Sequence, residues 1–341
     1  MENILIIKFG ALGDIIRTSF ILPGLHKKYK NAALHWLTSN VSFDLLRFNP
    51  YIAGLYTPTL NMEMLHKINF DWVISLDEEI EVLSFIKKVM FKELIGVYLD
   101  SDGTRTYTDT ASIWFDMGLI SKYGKERADK LKQNNRLSHR ELMEKMLTIK
   151  IEQPIFFNSN IIEDSKKFLF SPDFFNIGIN SGAGGRWPSK ELRLEETVKL
   201  INKLLPVNFG GKPVRIYLLG GEAEGNRHIK IKEVIKSSAL IDTGCSNSLL
   251  EFAAIMKHLD YVISSDSFAL HLAIAQKKPT LSFFSQGPPW EIETFGTGEK
   301  VLSTAKDFCS FRKDADNSTI TMERLYHALI DHIDKLGNVA I

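Results

Sequence analysis

NILIIKFGALGD, residues 3–14, is the stretch that decides the fold. Ile4–Ile7 is a short continuous apolar run ending in a turn, the pattern of a strand buried in a parallel sheet. The turn carries Gly10 and Gly13, and Asp14 opens the next segment, IIRTSFILPGLHKKY. There Ile15, Ile16, Phe20, Ile21 and Leu25 fall roughly three to four residues apart, which predicts a helix. Strand, glycine turn and helix is how α/β proteins bring helix amides to the carboxyl edge of a sheet, where phosphates bind. Here a carboxylate stands at the helix start. Asp14 reads either as an N-cap, which suits the helix dipole, or as a general base at the mouth of a cleft.

Outward from this unit the first half keeps a βαβ rhythm. Ala33–Thr38, Gly54–Tyr56, Trp72–Leu76 and Leu94–Tyr98 read as strands, each followed by polar or helical sequence. Residues 101–150 break the rhythm and read as mostly helical and charged. Lys122–Lys150 holds nine Lys or Arg against four Asp or Glu, either a solvated helix face or a basic lip for an anionic substrate or acidic membrane surface. A second alternating series follows Ser171-Pro172-Asp173: strands at Asn176–Asn180, Val214–Leu219, Leu240–Asp242, Tyr261–Ser264 and Thr280–Phe284, with helices at Leu194–Leu205 and Leu249–His258. The fold class is therefore α/β, with two Rossmann-like domains of parallel sheet facing each other across a cleft. The expected boundaries are 1–170 and 171–319, and the final helix within 320–341 is free to pack on either domain.

A chain of 341 residues fits two domains of about 150 to 180 residues. Hydrophobic residues at 44% and charged residues at 24% are ordinary for a soluble protein, and a net charge of +1 gives no field that would draw nucleic acid. Cys245 and Cys309 are the only cysteines, with no CxxC, which argues against a disulfide scaffold or structural zinc and fits a reducing compartment. The N-terminal apolar run leads into Lys8 and a turn rather than a cleavage site, and no stretch approaches the roughly 20 apolar residues of a membrane span. A cytoplasmic location is expected.

Three further segments carry chemistry. In NIGINSGAGGRWPSKEL a strand ends at Asn180 and small residues follow, Ser181, Gly182, Ala183, Gly184 and Gly185, then Arg186-Trp187-Pro188. Small residues let backbone amides approach a phosphate and an adjacent arginine can neutralise it, although a tight turn alone also uses glycines. The strand at Val214–Leu219 runs into Gly220-Gly221-Glu222, where a carboxylate can accept ribose hydroxyls or simply start a helix. In DYVISSDSFALHLAIA a strand ends in Asp266-Ser267 and a helix follows with His271 one turn inside it. Asp266 and Ser267 can cap that helix, leaving its amides as half of a pyrophosphate cradle. Neither GxGxxG nor GxxxxGK[ST] spacing occurs, so dinucleotide and P-loop readings are weak.

Taken in order, GALGD, the glycine loop with RWP, LLGGE and SSDSFALHLA, the chain resembles glycosyltransferase family 9, the lipopolysaccharide heptosyltransferases. The likeness runs over nearly the whole chain. It implies the GT-B arrangement and an inverting transferase that needs no metal or other cofactor. It also implies a heptose moved from ADP-heptose to a lipopolysaccharide core or other glycan acceptor at the cytoplasmic face of the inner membrane. Residue by residue, it implies Asp14 as the catalytic base, with Gly10, Gly13 and Arg17 on the acceptor side. Ser181, Gly182, Gly184, Gly185, Arg186, Glu222, Asp266, Ser267 and His271 then hold the donor. Two departures stand out: Phe268 replaces the family's glycine, and Arg186 replaces a lysine, favouring planar bidentate contact.

Two rivals keep the same site. A GT-B hydrolase or epimerase would act on the nucleotide sugar without an acceptor, with Asp14 activating water. A binding protein would hold the nucleotide sugar without turnover.

Overall fold

The structure, a computed structural model, describes residues 2–157 and 170–339. The chain divides into two compact units, Met1–Phe157 with Trp290–Glu293, and Asn158–Pro289 with Thr294–Ile341. The expected boundary at 170 borders residues 158–169, which lie outside the described ones.

In the first unit the order is β1 (Asn3–Ile7), α1 (Leu12–Ser19), α2 (Ile21–Lys28), β2 (Ala33–Leu37), β3 (Ile52–Tyr56), β4 (Asn69–Ser75), β5 (Met90–Leu99), β6 (Arg105–Tyr107), α3 (Lys125–Asn134) and α4 (His139–Leu147), with one-turn helices between. The sheet runs β3-β2-β1-β4-β5-β6; β1 to β5 are parallel and β6 closes the edge antiparallel. Ile4–Ile7 is wholly buried at its centre, which is why the quoted stretch reads as an unbroken apolar run. The helix expected after it is two helices. Pro23, third in α2, has no N–H to give the carbonyl of Ser19, and the chain breaks at Phe20. The stretch after residue 100, read as mostly helical, also contains β6. Its three residues are too few and too polar to show a period.

The second unit repeats the plan: β7 (Phe175–Asn180), α5 (Leu194–Leu204), β8 (Asn208–Phe209), β9 (Lys212–Leu218), α6 (Gly225–Val234), β10 (Leu240–Asp242), α7 (Leu249–Lys257), β11 (Tyr261–Ser265), α8 (Phe268–Ala275), β12 (Thr280–Phe284), β13 (Gly298–Leu302) and α9 (Met322–Val339). The sheet order is β10-β9-β7-β11-β12-β13, all parallel, with β8 antiparallel to β9. Ile177, Ile179, Ile216, Leu218, Ile263 and Leu281 form the centre of its core, and α5 covers them with Leu200, Ile201 and Leu204. The final helix, whose partner the sequence left open, packs on α5, β12 and β13, bringing Leu325 and Leu329 into this core.

In both sheets the strand order reverses beside the first strand, between β1 and β4 and between β7 and β11. Loops leaving adjacent strands part there and open a crevice at the carboxyl edge. The same construction thus brings residues 8–14 to 76–79 in one unit, and 181–190 to 266–271 in the other.

Candidate functional site

In the first unit the turn after β1 is held by a residue that sequence reasoning passed over. Asp77, 3% exposed at the end of β4, accepts the amides of Phe9 (2.8 Å) and Gly10 (3.0 Å) on Oδ2, and those of Glu78 (3.0 Å) and Glu79 (3.3 Å) on Oδ1. Lys8 Nζ donates to the Leu76 carbonyl at 2.8 Å and lies 3.9 Å from Asp77. The only signal in the sequence was an acid directly after a buried strand.

Asp14 sits on the rim of this turn. It is not the N-cap: that position is Ala11, whose side chain cannot cap, and Asp14 is the third residue of α1, its amide bonded to the Ala11 carbonyl. A carboxylate in the first turn still suits the helix dipole. Its side chain is one-third exposed, and Oδ1 lies 2.7 Å from Arg17 Nη2. Gly13 is buried beneath it. The structure therefore groups Gly10, Gly13, Asp14 and Arg17 at one sheet edge.

In the second unit the loop after β7 turns through Gly184 and Gly185, both at φ +70°, a conformation that favours glycine. Its shape is fixed by Glu224, a buried carboxylate that accepts Gly184 N at 2.8 Å and Gly221 N at 2.9 Å. A Cβ on Gly182 would stand 2.4 Å from that carboxylate, so the loop packs there only without a side chain. The acid expected near the glycine pair, Glu222, is exposed at the start of the same turn. The spacing Gly221-x-x-Glu224, the returning half of a capping box, was the missed signal. Ser181 is buried and accepts Arg227 Nε at 2.8 Å. Arg227 also reaches the Leu192 carbonyl and Glu191, tying the loop to the start of α5.

Across the switch point, Ser265 Oγ donates to the Gly182 carbonyl at 2.6 Å, and Asn180 Nδ2 donates to Ser267 Oγ at 2.8 Å. Ser267 is the N-cap of α8 by backbone, but its hydroxyl bonds Asn180 and Ser264 instead of capping. Nor does the Asp266 carboxylate cap. Oδ2 pairs with Lys190 Nζ at 2.7 Å and Oδ1 lies 3.7 Å from His271 Nε2. Burial by itself would raise the Asp266 carboxyl, but Lys190 and His271 outweigh it and hold it far below the usual carboxylate range. Lys190 was not singled out from the sequence; it lies four residues past Arg186, on a 3₁₀ turn, Pro188–Lys190. Arg186 is exposed and stands against the Trp187 ring at 5.9 Å. Phe268 stacks on Phe252 with ring centres 5.8 Å apart, turned onto α7.

Chemically, the second unit gathers glycine amides, a lysine, a histidine and a helix N-terminus around one sheet edge, an arrangement that suits an anion such as a diphosphate. The first unit offers an oriented carboxylate. No group of three or more His, Cys, Asp or Glu able to hold a metal occurs among the described residues, and no described helix is long and apolar enough to cross a membrane.

Comparison with known proteins bears on these arrangements. The family model described as glycosyltransferase family 9 (heptosyltransferase) matches residues 195–319, a span that takes in Glu222, Asp266, Ser267 and His271. Lipopolysaccharide heptosyltransferase 1 of Campylobacter coli is 23% identical over 339 residues, 90% of this chain and 94% of that protein. Among solved structures, the family 9 glycosyl transferase of Veillonella parvula superposes with a TM-score of 0.77 at 15% identity over 98% of each chain. The ADP-heptose LPS heptosyltransferase II of E. coli gives 0.68 at 14% identity over 99% of this chain and 100% of that one. E. coli heptosyltransferase WaaC with ADP gives 0.64 at 15% identity over 97% and 99%. At these identities the superpositions establish the fold, the α/β fold with two mainly parallel sheets of the GT-B heptosyltransferases.

Proposed function

We propose that the chain is a heptosyltransferase-like glycosyltransferase of family 9, a reading supported by the family match over residues 195–319 and the Campylobacter coli relative, and that it moves a heptose from ADP-heptose to a lipopolysaccharide core acceptor, with inversion and without a metal. The donor diphosphate lies along the glycine loop of the second unit, which Gly184 turns, against the Gly185 amide, Lys190, Arg186 and the start of α8 at Ser267. Asp266, flanked by His271, anchors Lys190 and completes the cradle; Ser181 and Gly182 shape it, and Glu222 takes the ribose hydroxyls. Asp14 removes the proton from the acceptor hydroxyl as it attacks the anomeric carbon. Gly10, Gly13 and Arg17 form the acceptor side around it. The bond between the anomeric carbon and the diphosphate oxygen breaks as the new glycosidic bond forms, and the leaving charge falls on Lys190, Arg186 and the loop amides.

General-base help of this kind contributes roughly 10²- to 10⁴-fold. Stabilising the leaving diphosphate is the larger contribution, because fixed amides and cations need not reorganise. Transfer to a lipid-linked acceptor would take place at the cytoplasmic face of the inner membrane. There the basic run Lys122–Lys150 meets acceptor phosphates or anionic lipid.

One observation carries the donor reading: a loop at the β7/β11 switch point shaped by Glu224, with the Lys190–Asp266–His271 cluster beside it. A thermal-shift panel of nucleoside diphosphates and nucleotide sugars tests it. ADP and ADP-heptose raise Tm through their binding to the folded state, whereas UDP and GDP ligands do not. No shift with any of them would refute a nucleotide site.

A further inference from the structure

Arg17 was grouped above with the acceptor side, but its surroundings give it a more specific task. Exposed Asp–Arg pairs three apart on a helix contribute only a few tenths of a kcal/mol and leave both side chains in water. The Asp14–Arg17 pair departs from that. Arg17's side chain is only 17% exposed, and its Nε is buried without a hydrogen-bond partner. Leaving such a donor unpaired is costly, and a surface pair of ordinary stability value would relax it by turning the guanidinium outward. Trp114 prevents that. The guanidinium carbon stands 5.7 Å from the centre of its ring, which belongs to the one-turn helix Ser112–Phe115. Trp114 is fixed in turn by His139, buried at the start of α4, whose ring meets it edge-on at 5.4 Å and 89°. His139 follows Ser138, which forms a full capping box with Glu141 and so anchors the start of α4.

The helical, charged insert after β6 therefore delivers one aromatic ring to the rim of the Gly10–Asp14 turn. We infer that Arg17 is a positioning residue for the reaction: clamped by Trp114, it holds the Asp14 carboxylate in one orientation toward the acceptor side. A planar guanidinium suits this because it fixes direction as well as charge. The inference rests on Asp14 being the base, and an aligned base is where small displacements are most costly, about 10²-fold for roughly 1 Å.

The test uses the full-length enzyme with saturating ADP-heptose and acceptor. Arg17→Ala lowers kcat by about 10- to 100-fold while the Kd for ADP stays at the wild-type value, since the donor is held by the other unit. Millimolar free guanidinium restores part of that kcat, and Arg17→Lys lies between the two. Trp114→Leu lowers kcat by about two- to fivefold, the size of an aromatic–cation contact, and has no further effect in the Arg17→Ala background. Melting temperatures measured alongside separate a folding defect from a catalytic one: if Arg17→Ala fails to fold, Arg17→Lys and Trp114→Leu carry the same comparison. Wild-type kcat in Arg17→Ala, a loss that neither guanidinium nor lysine relieves, or a loss expressed in ADP affinity would overturn the inference. Asp14→Asn assayed in parallel keeps the two ideas apart. If it turns over normally, the base assignment fails; if it is dead while Arg17→Ala is normal, only the positioning role fails.

Discussion

Replacing Glu224 with glutamine or alanine addresses the architecture on which the donor site depends. Its carboxylate accepts one amide on each oxygen, Gly184 at 2.8 Å and Gly221 at 2.9 Å, and the residue is 6% exposed. Hydrogen bonds to a charged group contribute about 1.5–3 kcal/mol each, so two give about 3–6 kcal/mol as an upper bound. Both glycines lie at the surface, and water replaces part of what is lost. The net expectation is about 2–3 kcal/mol for Glu224→Ala. Glu224→Gln keeps one acceptor but turns an NH₂ toward the other amide, for a loss of about 1.5–2 kcal/mol. At about 2–4 °C per kcal/mol for a unit of this size, the alanine variant melts roughly 4–12 °C lower.

Thermal unfolding followed by circular dichroism reads this directly. The loss belongs to the second unit, so two transitions are expected to separate, with only one moving. The same variant weakens ADP binding because the Gly184–Gly185 turn loses its fixed shape. A Tm within 1 °C of wild type, with unchanged ADP affinity, would show that Glu224 does not shape the loop and refute the reasoning.

Two further outcomes follow from the titrating groups. Lys190→Met leaves Asp266 with only His271; as Asp266 is one-fifth exposed, the loss is about 1–3 kcal/mol at neutral pH. Asp266 is depressed in the fold, so its stabilisation is full above the ordinary carboxyl value of 3.8 and is lost as pH falls below it. Urea unfolding at several pH values should show wild type losing stability as pH falls below about 4, while the variant, already without that stabilisation, changes less and converges on wild type; a constant difference across pH would contradict the pairing. His332 is buried against the Tyr261 hydroxyl at 2.5 Å, and burial pushes its imidazole below 6.5. A depressed histidine contributes stability above that value and loses it as pH falls, because only the unfolded chain takes the proton. The wild-type Tm should therefore drop between pH 7 and pH 5, and His332→Gln should flatten that slope; an unchanged slope would count against it.

How much of this was legible in the sequence depends on what each residue does locally. The central strands β1, β7, β11 and β12 were readable because they are buried on both faces and appear as apolar runs. The edge strands β6 and β13 were not, since Arg105–Tyr107 and Gly298–Leu302 are short or charged and owe their conformation to one neighbour. The glycine loops were legible as turns at the ends of β1 and β7, because turn chemistry is local. Residues that act across the fold left no such trace. Asp77, Lys190, Glu224 and Trp114 each meet partners on another segment, and one-dimensional spacing cannot show those meetings. The same limit explains Asp14, placed correctly at the helix start but not as its cap: Ala11 takes that position through backbone geometry alone.

The measurement that bears most directly on the central claim is the turnover of Asp14→Asn with ADP-heptose and a lipopolysaccharide-core acceptor, paired with its ADP-heptose Kd. Asparagine preserves shape and removes the basic oxygen, so the account predicts a kcat at least 10²-fold below wild type with an unchanged donor Kd. Near-wild-type turnover would contradict it and remove Asp14 as the base.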